Sequence, residues 1–251
     1  NDGAPGGGGE VTAVAESADG IAWTKPALGL FAVRDRMDTN LVMPGANPLR
    51  ASHNFSVLLD DRPGVPAGER FKAIGGGLGT AAEQKRDGVA RGVYRYTSPD
   101  GIHWRRVSDQ PLFPDWSLDS QNVLAWIPSR QRYGIFLRTW TESKAGKPAY
   151  KGVRLIARSL SPDFVNWDTP ELMGTGDAPL EDLYTNATAP YFRAPHLLIA
   201  LPFRFSPDRQ VLAEPEMIAL GVAPSMRMGV SDGVIMTSRD GNSYDRKFME
   251  S

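Results

Sequence analysis

One short phrase recurs along the chain. SPDGIHW (98–104) has counterparts in SADGIAW (17–23), SPDFVNW (161–167) and SRDGNSY (238–244). Each holds a serine, an aspartate two residues on and an aromatic four residues after that. The aspartate can accept backbone amide protons, and the glycine that follows it in three copies can take positive φ. A turn stated four times requires four similar supersecondary units, because repetition at this scale marks an array of like elements.

The segments between the turns support that reading. In the third unit NVLAWI (122–127), RYGIFLRTW (132–140) and GVRLIARS (152–159) read as successive strands, PSRQ turns the chain, and Trp167 opens a short fourth strand. The second unit repeats the order with HNFSVLL (53–59), RFKAIGG (70–76), GVYRYTS (92–98) and Trp104. The fourth has NATAPY (186–191), HLLIALPFRF (196–205), DGVIMTS (232–238) and Tyr244. The 26 glycines and 20 prolines fit many turns, and long helical periodicity is missing. The expected fold is all-β, a β-propeller of four-stranded antiparallel blades, with the turns as structural pins and each first strand lining a central channel. Residues 1–9 read as a flexible lead-in and 10–251 as a single propeller domain. EVTAVAES (10–17) supplies one strand before the first turn, which gives about three and a half units. Either strands are hidden in residues 26–50 or the domain is partial, and the partial domain is the expectation.

Composition narrows the function. With 28 basic and 29 acidic residues the net charge is −1, so no field recruits nucleic acid. No run of apolar residues is long enough to span a bilayer as a helix. The chain has no cysteine, which removes disulfides and thiolate chemistry. Three histidines, none paired at metal spacing, make a transition-metal site unexpected, and IGGGLGT (74–80) lacks a P-loop lysine. No cofactor is expected, a structural calcium ion on carboxylates or carbonyls being the one left open. The chain begins with Asn, and NDGAPGGGG is compatible with processing or truncation. Extracellular or periplasmic location and a monomeric state are the expectations.

The blade turns, together with the polar strand openings HN (53–54), DSQN (119–122) and DLYTN (182–186), resemble the five-bladed β-propeller glycoside hydrolases, the group of arabinanases, xylosidases and invertase-like enzymes. The turn also resembles the Asp-box of sialidases, with Gly directly after Asp where the box has a residue between. The resemblance covers most of residues 10–250 and implies five blades and a carbohydrate substrate. It further implies three carboxylates at the starts of successive inner strands: a base or nucleophile, an orienting pKa modulator and a general acid. The middle role falls near Asp119 and the third near Asp182 or Glu181. The first falls on His53–Asn54 or on an inner strand outside this chain. A non-catalytic carbohydrate-binding propeller and a sialidase-like hydrolase of acidic sugars are the alternatives.

The residues themselves suggest roles. Hydrolysis of a glycosidic bond needs two carboxyl groups about 5 to 9.5 Å apart, which converging strands can supply. Glu181 and Asp182 are adjacent and could share a proton if desolvated. His53 could bond a sugar hydroxyl or act as a base. Asn54, Asn122 and Asn186 recur at strand starts, where they either bind hydroxyls or fasten the entering loops. Arg138 and Arg204 end apolar strands, and there they either clamp an acidic or sulfated sugar or form internal salt bridges. Asp232 is a further channel carboxylate. Trp116, in LFPDWSLD, is the favoured stacking platform, and Tyr184 beside Asp182 is the sialidase-like nucleophile candidate.

Overall fold

The computed structural model describes residues 10–33, 35–44, 51–76, 85–86, 88–118, 121–143, 150–239 and 241–246. They fall into two compact units, residues 1–118 and 119–251. Nearly all regular structure is antiparallel β.

Among the described residues the first unit holds two sheets. β1 (Thr12–Ala13) pairs with β2 (Leu41–Met43). β3 (Ser56–Leu59), β4 (Phe71–Gly75), β5 (Tyr94–Ser98) and β6 (Arg105–Arg106) form a four-stranded meander in sequence order. Ala73 and Ile74 of β4 and Tyr94 and Tyr96 of β5 are buried, whereas the outer strand β6 is two exposed arginines. Charge on a short outer strand discourages further pairing, so the sheet ends there. β2 is a strand that the pattern of residues 26–50 did not reveal.

In the second unit β7 (Val123–Ile127), β8 (Arg132–Trp140), β9 (Arg154–Ser161) and β10 (Glu171–Leu172) form another sequential meander. Ile135, Phe136 and Leu137 of β8 are fully buried in succession. Both faces of that middle strand are covered, which explains its unbroken apolar run. The fourth repeat differs from the expected four-stranded blade. Its long segments divide into β11 (Asp182–Leu183), β14 (Phe203–Ser206) and β15 (Val230–Gly233) in one three-stranded sheet, and β12 (Ala189–Tyr191), β13 (Ala194–Ala200) and β16 (Met236–Ser238) in another. Buried Pro202 interrupts the second strand because it has no amide to donate. Backbone bonds Leu201 N–H to Asn186 O (2.8 Å) and Val234 N–H to Pro202 O (3.0 Å) carry the pairing across the break. The segment between β14 and β15 carries the short helix α1 (Glu214–Ala219). Among the described residues no helix is long and apolar enough to cross a membrane.

The repeated turns are built alike. In the first three copies the serine hydroxyl donates to the aspartate Oδ1: Ser17 to Asp19 at 3.0 Å, Ser98 to Asp100 at 3.0 Å and Ser161 to Asp163 at 3.1 Å. The same Oδ1 accepts two amides at 2.8 Å each, from Ile21 and Ala22, Ile102 and His103, or Val165 and Asn166. The indole N–H of Trp23, Trp104 or Trp167 closes the loop onto the carbonyl of Gly20, Gly101 or Phe164. In the fourth copy Asp240 lies outside the described residues, and Ser238 Oγ still accepts the Gly241 amide at 3.0 Å. The residue before the serine then meets the residue after the aromatic: Glu16 with Thr24, Thr97 with Arg105, Leu160 with Asp168 and Thr237 with Asp245.

The amide of Asn166 and those beside it hold the Asp163 carboxyl down at about 2. At Asp100 burial pushes upward, and the hydrogen bonds from His103, Ile102 and Ser98 outweigh it and leave the group well below the usual range. A carboxylate that accepts several donors is stabilised in its charged form.

Candidate functional site

The candidate residues gather where strands of the second unit begin and end. Trp140 closes β8 and Arg154 opens β9, paired in register. The Arg154 guanidinium carbon lies 5.4 Å from the Trp140 ring centroid, 5.3 Å from that of Tyr184 and 5.2 Å from that of Phe205. Its backbone amide and Nε both donate to Asp182 Oδ1, at 2.8 and 3.2 Å. Buried Arg138 also lies against Trp140, at 5.6 Å. One guanidinium, that of Arg154, therefore lies among three rings and on one carboxylate, a geometry in which it gains from the ring quadrupoles while keeping its ion pair.

The pleat explains why Glu181 does not join Asp182. Neighbouring residues of a strand face opposite sides, and residues two apart share one. Asp182 stands opposite Phe205 in register, so Asp182, Tyr184 and Phe205 share the Arg154 face. Glu181 turns to the other side with Arg204, whose Nη1 reaches its Oε1 at 3.4 Å. Arg246 donates to its Oε2 and to the Pro179 carbonyl, the latter at 2.7 Å. The expectation that Glu181 and Asp182 share a proton is therefore corrected: each is drawn to a different arginine on a different face.

Arg204 completes the second group. It faces Asp232 across β14 and β15 and grips it with two parallel bonds, Nε to Oδ1 at 3.0 Å and Nη2 to Oδ2 at 2.6 Å. These bonds hold the Asp232 carboxyl below its usual range. It is thus a fixed anion near neutral pH, suited to accept hydrogen bonds and unsuited to donate a proton. Arg204 was expected either to clamp an acidic sugar or to bridge internally to Asp119 or Asp182. It bridges internally, to Glu181 and Asp232.

Gly229 shapes the wall. Its φ is +92°, and a Cβ there would lie 2.5 Å from the Phe205 ring. Only glycine lets the returning chain pass so close to that ring.

Other expected residues stand apart from this cluster. Asn186, buried, donates Nδ2–H to the Gln121 carbonyl at 3.2 Å, while Gln121 Oε1 accepts the amides of Asn186 and Ala187 at 3.1 and 3.3 Å. This reciprocal clamp is the loop-fastening role, not contact with a ligand. Asn122 is likewise buried at the start of β7. In the first unit His53 Nδ1 meets Glu10 Oε2 at 2.7 Å, and Asn54 takes positive φ (52°). Trp116 was the favoured stacking platform, but only 8% of it is exposed, so its ring is packing and offers no face to a sugar. Tyr184, 39% exposed, does. Asp119 lies outside the described residues. Among those described, no group of three or more His, Cys, Asp or Glu side chains is placed to hold a metal ion.

Sequence reasoning missed Arg154, Arg246 and Phe205. Arg154 had a signal, since a charge opening the apolar strand RLIARS needs a partner. Arg246, in YDRK just after a turn, had none.

No family model and no curated protein matches this chain. Among solved structures, an N-acetylgalactosamine deacetylase from F. plautii, crystallised with blood group B trisaccharide, is 13% identical with a TM-score of 0.55. The likeness covers 94% of this chain and 60% of that one, so this chain spans less than two thirds of its length. At that identity the shared property is the fold. A glycoside hydrolase (13% identical, TM-score 0.49, 94% of this chain and 64% of that one) is also similar. So is an inulosucrase from Halalkalicoccus jeotgali (12% identical, TM-score 0.45, 77% and 51%). Neither carries structural weight at its score.

Proposed function

We propose that this chain is a carbohydrate-active β-propeller of the five-bladed glycoside hydrolase-like kind, taking a glycan where the strands of its second unit begin. The observation that carries this is the Asp182–Arg154 pair framed by Trp140, Phe205 and the half-open Tyr184 ring. An aromatic face beside fixed charged groups suits a pyranose, which presents apolar C–H faces and a rim of hydroxyls. The deacetylase of shared fold was crystallised with blood group B trisaccharide, which makes that trisaccharide the first glycan to try.

A specific observation favours binding without hydrolysis as the second reading. Guanidinium groups occupy both oxygens of Glu181 and of Asp232, and Oδ1 of Asp182. If bond cleavage occurs, Asp119 is the first candidate for the proton donor.

A glycan array followed by a product assay on every bound glycan separates the readings. Tyr184→Ala should cost about tenfold or more in affinity, the scale of one lost sugar-stacking contact. Turnover that disappears in Asp119→Asn while binding persists assigns a hydrolase. Binding without turnover assigns a lectin-like domain. A chain that binds no glycan, or binds one equally well as Tyr184→Ala, overturns the proposal.

A further inference from the structure

The four copies of the turn share a register, and that register shows what the first copy lacks. In the three later copies the strand leading into the turn has neighbours on both edges. On one edge the chain that follows the turn returns beside it, and on the other lies an earlier strand, β4, β8 or β13. There the residue opposite the turn serine is large and apolar: Phe71 opposite Ser98, Tyr133 opposite Ser161 and Leu198 opposite Ser238. These side chains cover the turn. The Phe71 ring comes within 3.3 Å of where a Gly101 Cβ would stand, and Tyr133 packs on Phe164 with centroids 5.5 Å apart.

Among the described residues β1 has a neighbour on one edge only. Val14 N–H bonds to Asn40 O at 3.0 Å and Glu16 N–H to Thr24 O at 2.9 Å, both on the side of the returning chain. Alternation then turns the Ala15 amide to the opposite edge, where β4, β8 and β13 lie in the later copies. Among the described residues the covering side chain has no counterpart either. Trp23 is 62% and Ile21 86% exposed, although the turn beneath them keeps the Oδ1 bonds and the indole closure of its counterparts. It lacks only the side-chain bond that His103 or Asn166 makes to the aspartate Oδ2, since Ala22 stands at that position.

We infer that the open edge of β1 takes up an antiparallel polypeptide strand carrying a large apolar residue opposite Ser17. The occupant is an extended peptide segment. Main-chain bonds through Ala15 supply affinity and an apolar side chain over Trp23 sets the register, as strand addition to a sheet edge requires. The three later copies each show this strand in place.

The test uses the whole chain and a synthetic peptide of residues 131–140 (QRYGIFLRTW), whose Tyr133 faces the serine in its own sheet. Hydrogen exchange should show the Ala15 amide slowed about tenfold or more by excess peptide, while Val14 and Glu16, already bonded, stay unchanged. A peptide with Tyr133→Asp should bind at least about tenfold more weakly. Ala15→Pro, which removes the donor, should abolish the effect. Trp23→Ser, which leaves the backbone intact, should weaken binding even if the proline variant misfolds. An Ala15 amide left unprotected by the peptide overturns the proposal, as does a Trp23→Ser chain that binds as tightly as the parent. Protection that grows with protein concentration and without peptide also overturns it, giving the edge to a second copy of the chain.

Discussion

SADGIAW in the first unit and SPDFVNW in the second make the same turn with different surroundings. Asp19 and Asp163 each accept two amides at 2.8 Å, and both indoles close on a carbonyl three residues back. Yet Trp23 is largely in water, whereas Trp167 is half-buried against Phe164, which packs in turn on Tyr133 and, through it, Trp126. The turn is therefore encoded locally, by serine, aspartate and aromatic at fixed spacing. Its worth to the fold is conferred by neighbouring strands that cover it.

The largest effect should come from removing a covered aromatic. Trp104 stacks edge-on against Phe55, centroids 5.0 Å apart, in the core of the first unit. Trp104→Ala should destabilise that unit by about 3 kcal/mol, in the range for truncating a packed aromatic. Trp23→Ala should cost less than about 0.5 kcal/mol. Urea titrations of the two variants compare them directly, and equal losses would show that the first turn is covered after all.

Phe164 sharpens the contrast within a single turn. It occupies the position where the other copies have glycine, at φ +65°, yet it is 3% exposed. Burial outweighs the strain of a left-handed backbone. Phe164→Ala should lose about 3 kcal/mol, because it sacrifices packing and retains the strain. Phe164→Gly should recover about 1 kcal/mol of that despite being smaller. An alanine variant more stable than the glycine variant would refute the strain argument.

Tyr244 is the opposite extreme to Trp23. It is 2% exposed, with its hydroxyl 2.7 Å from Thr188 Oγ1. Burial pushes the phenol up. Tyr244→Phe keeps the packing and strands the Thr188 hydroxyl, so a loss of about 1 to 2 kcal/mol is expected in the thermal or urea unfolding of the second unit. No loss would mean that Thr188 finds another partner.

This contrast also explains what could be read from sequence. The turns and the meanders of the second and third repeats were legible because serine, aspartate and aromatic sit at fixed spacing and because each strand is a short apolar run. β2 was hidden because three apolar residues, LVM, are too few to show a period. The division of 196–205 at Pro202 was hidden because the apolar run passes through the proline without a break. At the candidate site the strand openings identified Asp182, Glu181 and Tyr184, and the end of an apolar strand identified Arg204, as polar residues at a sheet end. Their partners come from other strands, and no local spacing encodes that Arg154 meets Asp182 or that Arg246 meets Glu181. Trp116 makes the same point: a tryptophan in a polar loop carries no mark of whether its ring turns inward.

The smallest effect to be measured is electrostatic. The Asp163 carboxyl titrates at about 2 in the folded chain, against roughly 3.9 for an unperturbed aspartate. A depressed folded value stabilises the fold above the unfolded pKa, and the contribution is lost as pH falls from about 4 to about 2. Both Asp163 and Asp100 are exposed enough for solvent to screen much of this, so each should contribute less than about 1 kcal/mol. Asp19 is lowered too, chiefly by the Ile21 and Ala22 amides, but its turn lies uncovered and its loosening should leave the rest of the unit unaffected. Unfolding midpoints measured between pH 5 and pH 2 should therefore fall less steeply in the double variant Asp100→Asn, Asp163→Asn than in the parent chain. Asp19→Asn should follow the parent curve. If all three substitutions flatten the acid limb equally, the covered and uncovered turns are energetically alike, and coverage by neighbouring strands is not what gives the turn its value.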